Sequence, residues 1–528
     1  MTPINRIVIV GGGTAGWLTA GLLAAKHSQA NKQGQSVSIT VVESNSVHPI
    51  GVGEGTWPTM RRTLAKIGIS EHTLITKASA TFKQASKFVG WHHTNKINDE
   101  NKNSRQSHYY HPFSAPQGSA TADITPYWLS ERAGNSYYAD DVCFQPSLCE
   151  AGLAPKLPNQ AKSAFCANYG YHLDAGEFIA LLREHCTQQL NVHHLIDDVV
   201  NVATGIHGIE ALTTLNNGEI KGDLYIDCSG FNALLIEKAL GVELKDASHH
   251  LFADSALVCQ APYEQENAPI ACHTLSSAQT AGWIWDIGLQ HRRGTGYVHS
   301  SAHQSSHDAL HTFTQYLGSV APSLAVGDKI REIKFKTGYR HQFWKQNCIA
   351  IGLSSGFLEP LEASSLMLIE QSASLVAEQL PAHSGVMPHV AKRVNATLTY
   401  LWERTIEFLK LHYVLSNRTE DFWQDNRNVD SIPARLAGLL DEWKYRPVLE
   451  SDFTSATEAF SAQSYRYILY GMVHGNSPFC DSYKYMHTPL NAKFASKQLQ
   501  LNHAFTRQLH TRLPSHRGLI ESYYSAIR

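Results

Sequence analysis

The pattern of apolar and polar residues over the first 43 positions predicts a strand, a helix and a second strand. Residues 7–10 are a continuous β-branched run, the pattern of a strand that is buried on both faces. Glycine-rich positions 11–16 follow, and the next segment, WLTAGLLAAKH, has helical periodicity. A second buried run, VSITVVE, ends at Glu43. Together these elements predict a βαβ unit.

The middle of the chain predicts further sheet. The segment GYHLDAGEFIALLREHC predicts a helix that is capped near Asp174. The residues after it alternate between apolar and polar, with two turn signals, and predict a β-meander that ends in a buried strand at 224–228. More strand-like runs lie between residues 250 and 350. Residues 97–165 are polar and irregular, and they predict a surface insertion.

The last part of the chain predicts helices. A helix begins at Glu362 and is stopped by Pro381, and residues 390–528 have helical periodicity with little strand signal. The predicted fold class is therefore α/β: a Rossmann-like G-x-G-x-x-G domain with an inserted β-sheet and a mainly helical C-terminal region. We place the boundary between a nucleotide-binding module, residues 1–385, and a substrate-side region, residues 386–528.

Composition narrows the class of protein. The 528 residues are 43% hydrophobic with a net charge of -2, which argues against a nucleic-acid or membrane surface. No run approaches the twenty or so apolar residues that span a bilayer, and no secretory signal pattern is present. Nine scattered cysteines, none in Cys-x-x-Cys spacing, are typical of reduced thiols, so we expect a cytoplasmic protein. The 29 histidines are dispersed, and we predict no metal site.

The glycines at 11–16 form a G-x-G-x-x-G motif in the context that a dinucleotide site requires. Gly11 makes the tight turn, Gly13 lets backbone amides approach a pyrophosphate, and Gly16 lets the helix pack closely on the strand. The helix N-terminus offers free N–H groups to phosphates, and Glu43 can accept a hydrogen bond from a ribose hydroxyl. The motif does not choose between FAD and NAD. Two later strand-like runs, DCSG and NCIAIG, favour a tightly held FAD.

Two other features allow two interpretations each. The residues before the second helix place its first free amides near Ser364 and Ser365, with Glu362 beside them. This is either an anion site or an ordinary helix cap, and the residues alone favour neither. Lys83 lies between two apolar runs, and its residue type alone favours an exposed lysine with Lys87 one turn away.

Eight segments, in order over about four-fifths of the chain, resemble the flavin-dependent tryptophan halogenase family, on the side of its indole-type halogenases and brominases. They are GGGTAGW, IGVGEGTWPT, FKQASKFVGW, HYYHPF, DLYIDCSGF, GWIWDIG, NCIAIGLSSGFLEPLEAS and FLKLHYVLSNRTEDFW. The resemblance implies that Lys83 and Glu362 are catalytic, that Ser364 and Ser365 form the halide site, and that His111 and Phe113 line the aromatic pocket. It implies FAD contacts, beside the glycines and Glu43 above, at Gly12, Ala15, Ser44, Val47, Ile50, Val52, Gly55, Val199, Leu353 and Leu366.

The chemistry implied by the resemblance is oxidative halogenation. Reduced FAD from a separate flavin reductase, with oxygen, would oxidise chloride or bromide to hypohalous acid, which travels inside the protein to Lys83. The ammonium would hydrogen-bond the acid, or the amine would form a haloamine. Glu362 would polarise the oxidant or take the ring proton. The oligomeric state is left open, a homodimer being one option.

Two departures from the family pattern bear on the substrate. The W-x-W-x-I-P motif reads Trp283-Ile-Trp285-Asp-Ile287-Gly288, so glycine replaces proline and hydroxylation stays an alternative. The clamp for free tryptophan is missing, and the chain there reads AFSAQSYRYILYGM, with Tyr465, Tyr467 and Tyr470 either in the core or at the substrate. We therefore expect an indole-like or other electron-rich aromatic substrate. The alternatives are a flavin monooxygenase and a non-catalytic flavin-binding protein.

Overall fold

The structure is a computed structural model, and its residues fall into two compact units. It describes residues 2–27, 36–46, 53–92, 107–133, 136–158, 166–324, 329–472, 477–487 and 489–525. The first unit comprises residues 1–80, 173–247 and 336–403, and the second comprises 81–172, 248–335 and 404–528. Each unit thus collects three separate segments. The division at 385/386 runs along the chain instead, and it stays a prediction.

The strands are numbered in chain order. They are β1 Arg6–Val10, β2 Ser38–Glu43, β3 Glu54–Gly55, β4 Thr81–Lys83, β5 Ala85–Val89, β6 His108–Pro112, β7 Gly170–Leu173, β8 His193–Ile196, β9 Val199–Gly205, β10 Gly208–Thr214, β11 Gly218–Ile220, β12 Leu224–Asp227, β13 Leu244–Asp246, β14 Ser255–Pro262, β15 His273–Gln279, β16 Gly282–Gly288, β17 Arg292–His299, β18 Arg331–Lys334, β19 Gly338–Arg340, β20 Trp344–Lys345, β21 Cys348–Ala350 and β22 Gly356–Phe357.

The α-helices follow the same convention. They are α1 Thr14–His27, α2 Thr59–Ile67, α3 Glu71–Lys77, α4 Thr125–Glu131, α5 Tyr138–Val142, α6 Gln145–Glu150, α7 Ala175–Gln189, α8 Ser306–Val320, α9 Ser364–Gln379, α10 Met387–Val414, α11 Asp421–Asp425, α12 Ala434–Trp443, α13 Ala462–Met472, α14 Ala492–Arg512 and α15 His516–Ser525. None of the helices within the described ranges has a stretch both long and apolar enough to cross a bilayer.

The first unit is built on a six-stranded sheet in the order β20-β21-β12-β1-β2-β8. The strands from β21 to β8 run parallel, and only β20 is antiparallel. β1 is buried over four of its five residues, as its apolar run predicts. α1 packs against α7 and α9. β1 lies between β2 and β12, and the chain continues from β1 to β2 on one side, whereas β12 comes from a later part of the chain. In such a sheet a ligand is expected at the carboxyl end of β1.

The predicted elements of this unit are confirmed. β9, β10 and β11 form the antiparallel meander, and β12 follows it as the buried strand. α7 begins after Asp174, whose side chain accepts a hydrogen bond from the Glu177 amide at 3.1 Å. α9 ends at Gln379, just before the proline that the sequence predicts will stop it. The helix predicted to begin at Glu362 begins two residues later, at Ser364, because Glu362 and Ala363 have left-handed backbone conformations at the end of a short 3-10 helix, Leu361–Ala363.

The second unit contains a seven-stranded sheet in the order β18-β14-β17-β16-β15-β5-β6. All its neighbouring strands are antiparallel except β5 and β15, which are parallel with His273 opposite Ala85. α8 covers one face, and Phe313 and Leu317 pack there against residues of β14 and β17. This sheet and the helices after α10 agree with the predicted strands at 250–350 and the predicted helical C-terminal part.

The prediction of an irregular surface excursion at 97–165 is wrong for the part that the structure describes. Residues 107–158 form β6 and helices α4, α5 and α6, and Tyr109, Tyr110, Trp128 and Tyr138 are all buried. The polar sequence of this region does not predict helices because the helices are only five to seven residues long. Such short helices show no helical period, and their buried side chains include polar and amphipathic residues such as Gln145, Asp141 and Tyr138.

Candidate active site

The glycine loop between β1 and α1 has the geometry that its sequence predicts. Gly11 has φ of +117°, and a Cβ there would lie 2.1 Å from the carbonyl oxygen of Cys228. A Cβ at Gly16 would lie 1.9 Å from the carbonyl oxygen of Gly11. Both positions therefore require glycine because backbone approaches backbone. The space beside Gly13 is open instead, because a Cβ there would have no atom within 4 Å.

Glu43 ends β2 beside this loop, as predicted. Its carboxyl carbon would lie 2.1 Å from a Cβ at Gly12, so the carboxylate lies directly against that glycine. Nε2 of His194 is 2.8 Å from Oε2 of Glu43, in an orientation that makes an electrostatic contact rather than a hydrogen bond. Among the described residues, this shielded oxygen has no hydrogen-bond donor. A carboxylate at the end of the second strand fits the hydroxyl of a ribose, because its oxygens can each accept more than one hydrogen bond.

Two later strands return to the same edge of the sheet. The strand that ends in DCSG is β12, which pairs with β1, and the run NCIAIG contains β21, which pairs with β12. After β21, Gly352 has φ of +80°, and a Cβ there would lie 2.7 Å from the side chain of Ala15. The chain therefore does return twice to the glycine loop. Open space at Gly13 and the carboxylate of Glu43 beside the glycine loop fit a dinucleotide.

The residues expected to contact FAD all belong to the first unit where the structure describes them. Val47, Ile50 and Val52 lie outside the described residues. The others fall on three parts of the unit: the loop and strand ends near β1, the end of the 50–59 segment, and the region from β21 to α9. They are Gly12, Gly13, Ala15, Ser44, Gly55, Val199, Leu353 and Leu366. Their contacts with the cofactor stay predictions.

The end of the 50–59 segment is tied to α9. The indole N–H of Trp57 donates to the carbonyl oxygen of Glu362 at 2.8 Å. Thr59 and Thr63 donate to the two carboxylate oxygens of Glu370, at 2.9 Å and 2.5 Å. Trp57 thus holds the end of this segment to the turn before α9, and Thr59 and Thr63 hold the following helix α2 to the second turn of α9.

Glu54, in the same segment, is a carboxyl group that the sequence patterns did not single out. The residue is only partly buried, but its Oε2 is shielded, and among the described residues that oxygen has no hydrogen-bond donor. Burial of the carboxyl, with a smaller effect of the Asp174 charge, raises the pKa of Glu54 to about 7. The sequence feature that could have indicated Glu54 is its position as a charged residue between two glycines, in GVGEGTW.

Glu362 lies at a strained turn. It is 5% exposed, and both it and Ala363 have left-handed backbone conformations, with φ of 61° and 56°. Two consecutive non-glycine residues in this region cost about 1 kcal/mol each or more, and such strain is common at functional sites. The strain turns the chain immediately before α9, so that the helix N-terminus begins at Ser364.

The two predicted halide residues differ in what they offer. Ser364 is fully buried, its amide donates to the carbonyl oxygen of Leu361, and its hydroxyl lies 3.4 Å from the carbonyl oxygen of Glu359. The hydroxyl of Ser365 is shielded and makes no hydrogen bond to any described residue. Ser365 also lines a pocket with Gly352, Leu353, Leu368 and Trp402. Ser365 is therefore the better donor for an anion.

In the second unit, Lys83 is the last residue of β4 and is fully buried, which contradicts the exposed lysine that its residue type favours. β4 pairs with β7, and Lys83 is opposite Gly170. Its Nζ lies 5.3 Å from the centre of the Phe113 ring. Burial, and next the charge of Lys83, hold the pKa of His172 well below its ordinary value, so His172 stays neutral beside the lysine.

The expected aromatic-pocket residues lie on the same unit. His111 is buried on β6, with its ring centre 5.8 Å from that of Phe408 and 6.2 Å from that of Tyr467. The Phe113 amide donates to the carbonyl oxygen of Gln84, the residue after Lys83, at 3.0 Å. Phe113 is therefore positioned by the strand that carries the lysine.

The three tyrosines of α13 have core partners. The ring of Tyr465 is 4.5 Å from that of Phe453, and the hydroxyl of Tyr467 donates to the carbonyl oxygen of Ser114 at 2.9 Å. The hydroxyl of Tyr470 accepts from the Val448 amide at 3.2 Å. All three are at most 2% exposed. Core packing thus accounts for them, and only Tyr467 approaches a predicted pocket residue.

The glycine that replaces the family's proline has a structural reason. Gly288 ends β16, and a Cβ there would lie 3.0 Å from the amide nitrogen of Ala271. Its carbonyl oxygen accepts from the Thr81 hydroxyl at 2.7 Å, which links the motif to the strand of Lys83. Gln84, a residue that no sequence pattern indicated, adds a second link, because its amide donates to the carbonyl oxygen of Cys272 at 2.7 Å.

Gly13→Ala tests the dinucleotide site separately from the fold. The added methyl group meets no atom within 4 Å, so we expect the melting temperature to be unchanged. If a pyrophosphate approaches this backbone, the methyl group weakens FAD binding by roughly tenfold or more. Flavin fluorescence titration measures the effect. Gly438→Ala, also in open space, is the control, and equal FAD affinity in all three proteins would contradict the assignment.

Glu54→Gln tests the raised carboxyl pKa. The unfolded chain loses the Glu54 proton near pH 4.5, whereas the folded flavin-free protein keeps it to about 7. The folded state therefore loses stability as the pH rises from 4.5 to 7, by on the order of 3 kcal/mol at most. We expect Glu54→Gln to be more stable than the wild type at pH 8 and no more stable at pH 4.5. Denaturant unfolding at both pH values measures this, and a pH-independent difference would show an ordinary carboxyl.

Comparison with known proteins gives the family. Residues 6–483 match the tryptophan halogenase family model. The chain is 32% identical over 464 residues to the 7-chloro-L-tryptophan 6-halogenase KtzR of Kutzneria sp. (strain 744), covering 83% of this chain and 84% of that protein. Tryptophan 6-halogenase SttH of Streptomyces toxytricini is 32% identical over 466 residues, with the same coverage. A crystal structure of tryptophan halogenase from Shewanella frigidimarina NCIMB 400 superposes with a TM-score of 0.91 at 44% identity, covering 99% of this chain and 98% of that one. The chain belongs to the tryptophan halogenase family.

Proposed function

We propose that the protein is a flavin-dependent halogenase that uses reduced FAD, oxygen and chloride or bromide to halogenate an electron-rich, indole-like aromatic. The observation that carries this proposal is the fully buried Lys83 beside the Phe113 ring. A lysine without a chemical role is rarely buried, because removing an ammonium group from water is costly. Membership of the halogenase family supplies the chemistry in which such a lysine has a purpose.

The first unit would bind the cofactor and the halide. Gly13 leaves room for the pyrophosphate, and the carboxylate of Glu43, which lies against the glycine loop, would accept a hydrogen bond from the ribose. Bound in its reduced form, FAD supplies, with oxygen, the two-electron oxidation of halide to hypohalous acid. Ser365 would hold the halide through its hydroxyl and the N-terminal amides of α9, because a helix N-terminus favours an anion.

The second unit would use the oxidant. Lys83 would hold hypohalous acid in a water-free site, where a hydrogen bond from the ammonium group is stronger than in water. The aromatic carbon takes the halogen, the hydroxyl leaves as water, and the ring proton is removed. Glu362, in the first unit, is the second catalytic residue that we propose: the family resemblance gives it the role of polarising the oxidant or of taking the ring proton, and its buried position is fixed by the strained turn.

The substrate would lie against His111 and Phe113 and would lack the charged ends of a free amino acid. Tyr465, Tyr467 and Tyr470 make core contacts, and the free-tryptophan clamp is missing from this segment. We therefore propose indole, an indole derivative or a larger indole-bearing molecule.

Reduced flavin would come from a separate reductase. The described residues contain one parallel sheet with a glycine loop, and the second large sheet is mainly antiparallel. We place the protein in a reducing cytoplasm, which is supported by nine cysteines that all lie among the described residues and form no disulfide.

A turnover assay tests the proposed roles of Lys83 and Glu362. It contains FAD, a flavin reductase, NADH, oxygen and indole, with bromide, with chloride or without halide, and mass spectrometry reads the products. We expect halogenated indole that requires halide. Lys83→Ala should lower kcat by about 1000-fold or more, and Glu362→Gln by about 100-fold.

Matched controls make that assay decisive. Lys87→Ala removes a lysine four residues away that pairs with Glu150 and is not in the proposed site, so it should keep near wild-type turnover. Lys83→Met keeps the apolar volume and should stay folded but inactive. A product that gains oxygen without needing halide, or full halogenation by Lys83→Ala, would overturn the proposal.

A substrate comparison tests the missing clamp. Free tryptophan would bring an ammonium and a carboxylate into a pocket that does not pair them, at a cost of about 1–3 kcal/mol. We expect kcat/KM for indole to exceed that for tryptophan by roughly tenfold or more. Steady-state kinetics under identical flavin supply measure the ratio, with indole-3-acetonitrile as an uncharged control. A ratio that favours tryptophan would show that other residues replace the clamp.

A further inference from the structure

Two thiols and an imidazole meet in the second unit, and the proposed reaction does not use them. Cys149 lies near the end of α6, Cys272 directly precedes β15, and His273 is the first residue of that strand. The two sulfur atoms and a ring nitrogen of His273 all lie within 4.8 Å of one another. Both thiols are buried, Cys272 completely. A disulfide requires a sulfur separation of about 2 Å, so this pair lies within reach of a side-chain rearrangement.

The cluster is adjacent to the strand of Lys83. The carbonyl oxygen of Cys272 accepts from the Gln84 amide at 2.7 Å, and Gln84 follows Lys83 directly. In the next strand, His273 is opposite Ala85. Lys83 and His273 also act electrostatically on the same imidazole, that of His172. The backbone of the thiol cluster is therefore hydrogen-bonded to the residue next to Lys83, and the cluster shares the neighbour His172 with it.

The two thiols are unequal. The interaction with the Cys149 thiol, and next that with His273, lowers the pKa of Cys272. Burial raises the pKa of Cys149 well above its ordinary value. The thiolate is the reactive form of cysteine, and Cys272 interacts with the neighbouring His273, so both observations favour Cys272 as the sulfur that an oxidant attacks and Cys149 as the one that resolves the product.

We propose that Cys272 and Cys149 are a thiol pair that reduces hypohalous acid left at Lys83 when no aromatic substrate accepts it. This inference rests on the proposed function, which supplies the oxidant. Cys272 takes the halogen and the hydroxyl leaves as water with one thiol proton. Cys149 then displaces the halogen as halide, forms the Cys149–Cys272 disulfide and loses its own proton. One hypohalous acid and two thiols thus give one disulfide, one water and one hydrogen halide, and the two electrons come from sulfur.

The pair would protect the groups around it. Hypohalous acid that stays in a buried site halogenates aromatic side chains irreversibly, whereas a disulfide is restored by cellular thiols. Cys143 is a useful contrast in the same unit. It is equally buried, burial raises its pKa to about 12, and it does not belong to the cluster of two thiols and an imidazole.

Peptide mapping after substrate-free turnover tests the proposal. Reduced wild-type protein is incubated with FAD, a flavin reductase, NADH, oxygen and catalase, with or without bromide. It is then quenched with N-ethylmaleimide and digested. We expect a linked peptide pair containing Cys149 and Cys272 only with bromide, and less of it when indole is present. Cys143 should be alkylated throughout. Cys272→Ser should form no link, whereas Cys480→Ser should behave as wild type.

A functional readout accompanies the mapping. After substrate-free turnover and treatment with a thiol reductant, wild-type protein should regain its indole turnover. Cys149→Ser and Cys272→Ser should start with near wild-type activity and lose several-fold more of it, without recovery. Equal recovery in all three proteins would contradict a protective role.

The outcomes separate this inference from the proposed function. If bromoindole forms but both thiols remain free after substrate-free turnover, the thiol pair is wrong and the halogenase stands. If neither bromoindole nor the disulfide forms, one equivalent of hypobromite is added to the protein to test directly whether the thiol pair reacts with the oxidant. Selective Cys149–Cys272 linkage then supports the pair, and random oxidation overturns it. Protein that retains one zinc ion per chain, lost in Cys272→Ser, would also overturn it, because the three groups would then be metal ligands.

Discussion

The proposed chemistry depends on keeping one ammonium group out of water. Burial of the Lys83 ammonium group costs several kcal/mol, a cost that a lysine at the surface does not have. The second unit keeps Lys83 buried through hydrogen bonds of its backbone. β4 is paired with β7, and Gln84 beside it donates through its amide to Cys272 and accepts from the Phe113 amide. The Thr81 hydroxyl holds the start of the same strand to Gly288. Turning the strand so that Lys83 faces solvent would break these hydrogen bonds. They therefore keep the lysine buried.

A comparable constraint holds Glu362 in the first unit. Glu362 and Ala363 stay in left-handed conformations because their surroundings fix them: Trp57 binds the carbonyl oxygen of Glu362, and α9 begins directly afterwards. Thr59 and Thr63 anchor the same segment to Glu370. Stored strain of this kind is found where a side chain must keep one position. The carboxylate and the helix end that we propose to bind the halide are therefore positioned by the same turn.

Much of the first unit could be predicted from sequence because its signals are local. Residues 7–10 and the strand that ends at Glu43 are buried on both faces, and glycines mark close backbone approaches that the structure confirms at Gly11 and Gly16. What the sequence could not show depends on distant pairing. The parallel pairing of β5 with β15 brings residue 273 beside residue 85, and only this pairing places Cys272 near the lysine strand.

The burial of Lys83 was equally hidden, because its residue type favours the surface and only the family resemblance argued otherwise. The helices within residues 107–158 are too short to show a helical period, so the polar residues of this region predicted an irregular surface insertion. Glu54 was overlooked because a single acid in a glycine-rich segment reveals neither its shielding nor its raised pKa. Sequence patterns thus indicate which elements form, whereas the environment of a charged group follows only from packing.

In the proposed mechanism, making the oxidant and using it are separate tasks, and Lys83 is needed only for the second. The most direct measurement compares bromide oxidation with aromatic bromination in Lys83→Ala, by adding a freely diffusing trap that reacts with oxidised bromide in solution. We expect this variant still to yield brominated trap under reduced flavin and oxygen, while bromoindole formed within the enzyme is lost. If trap bromination and indole bromination fall together in a variant that still binds FAD, Lys83 takes part in forming the oxidant and the proposed separation is wrong.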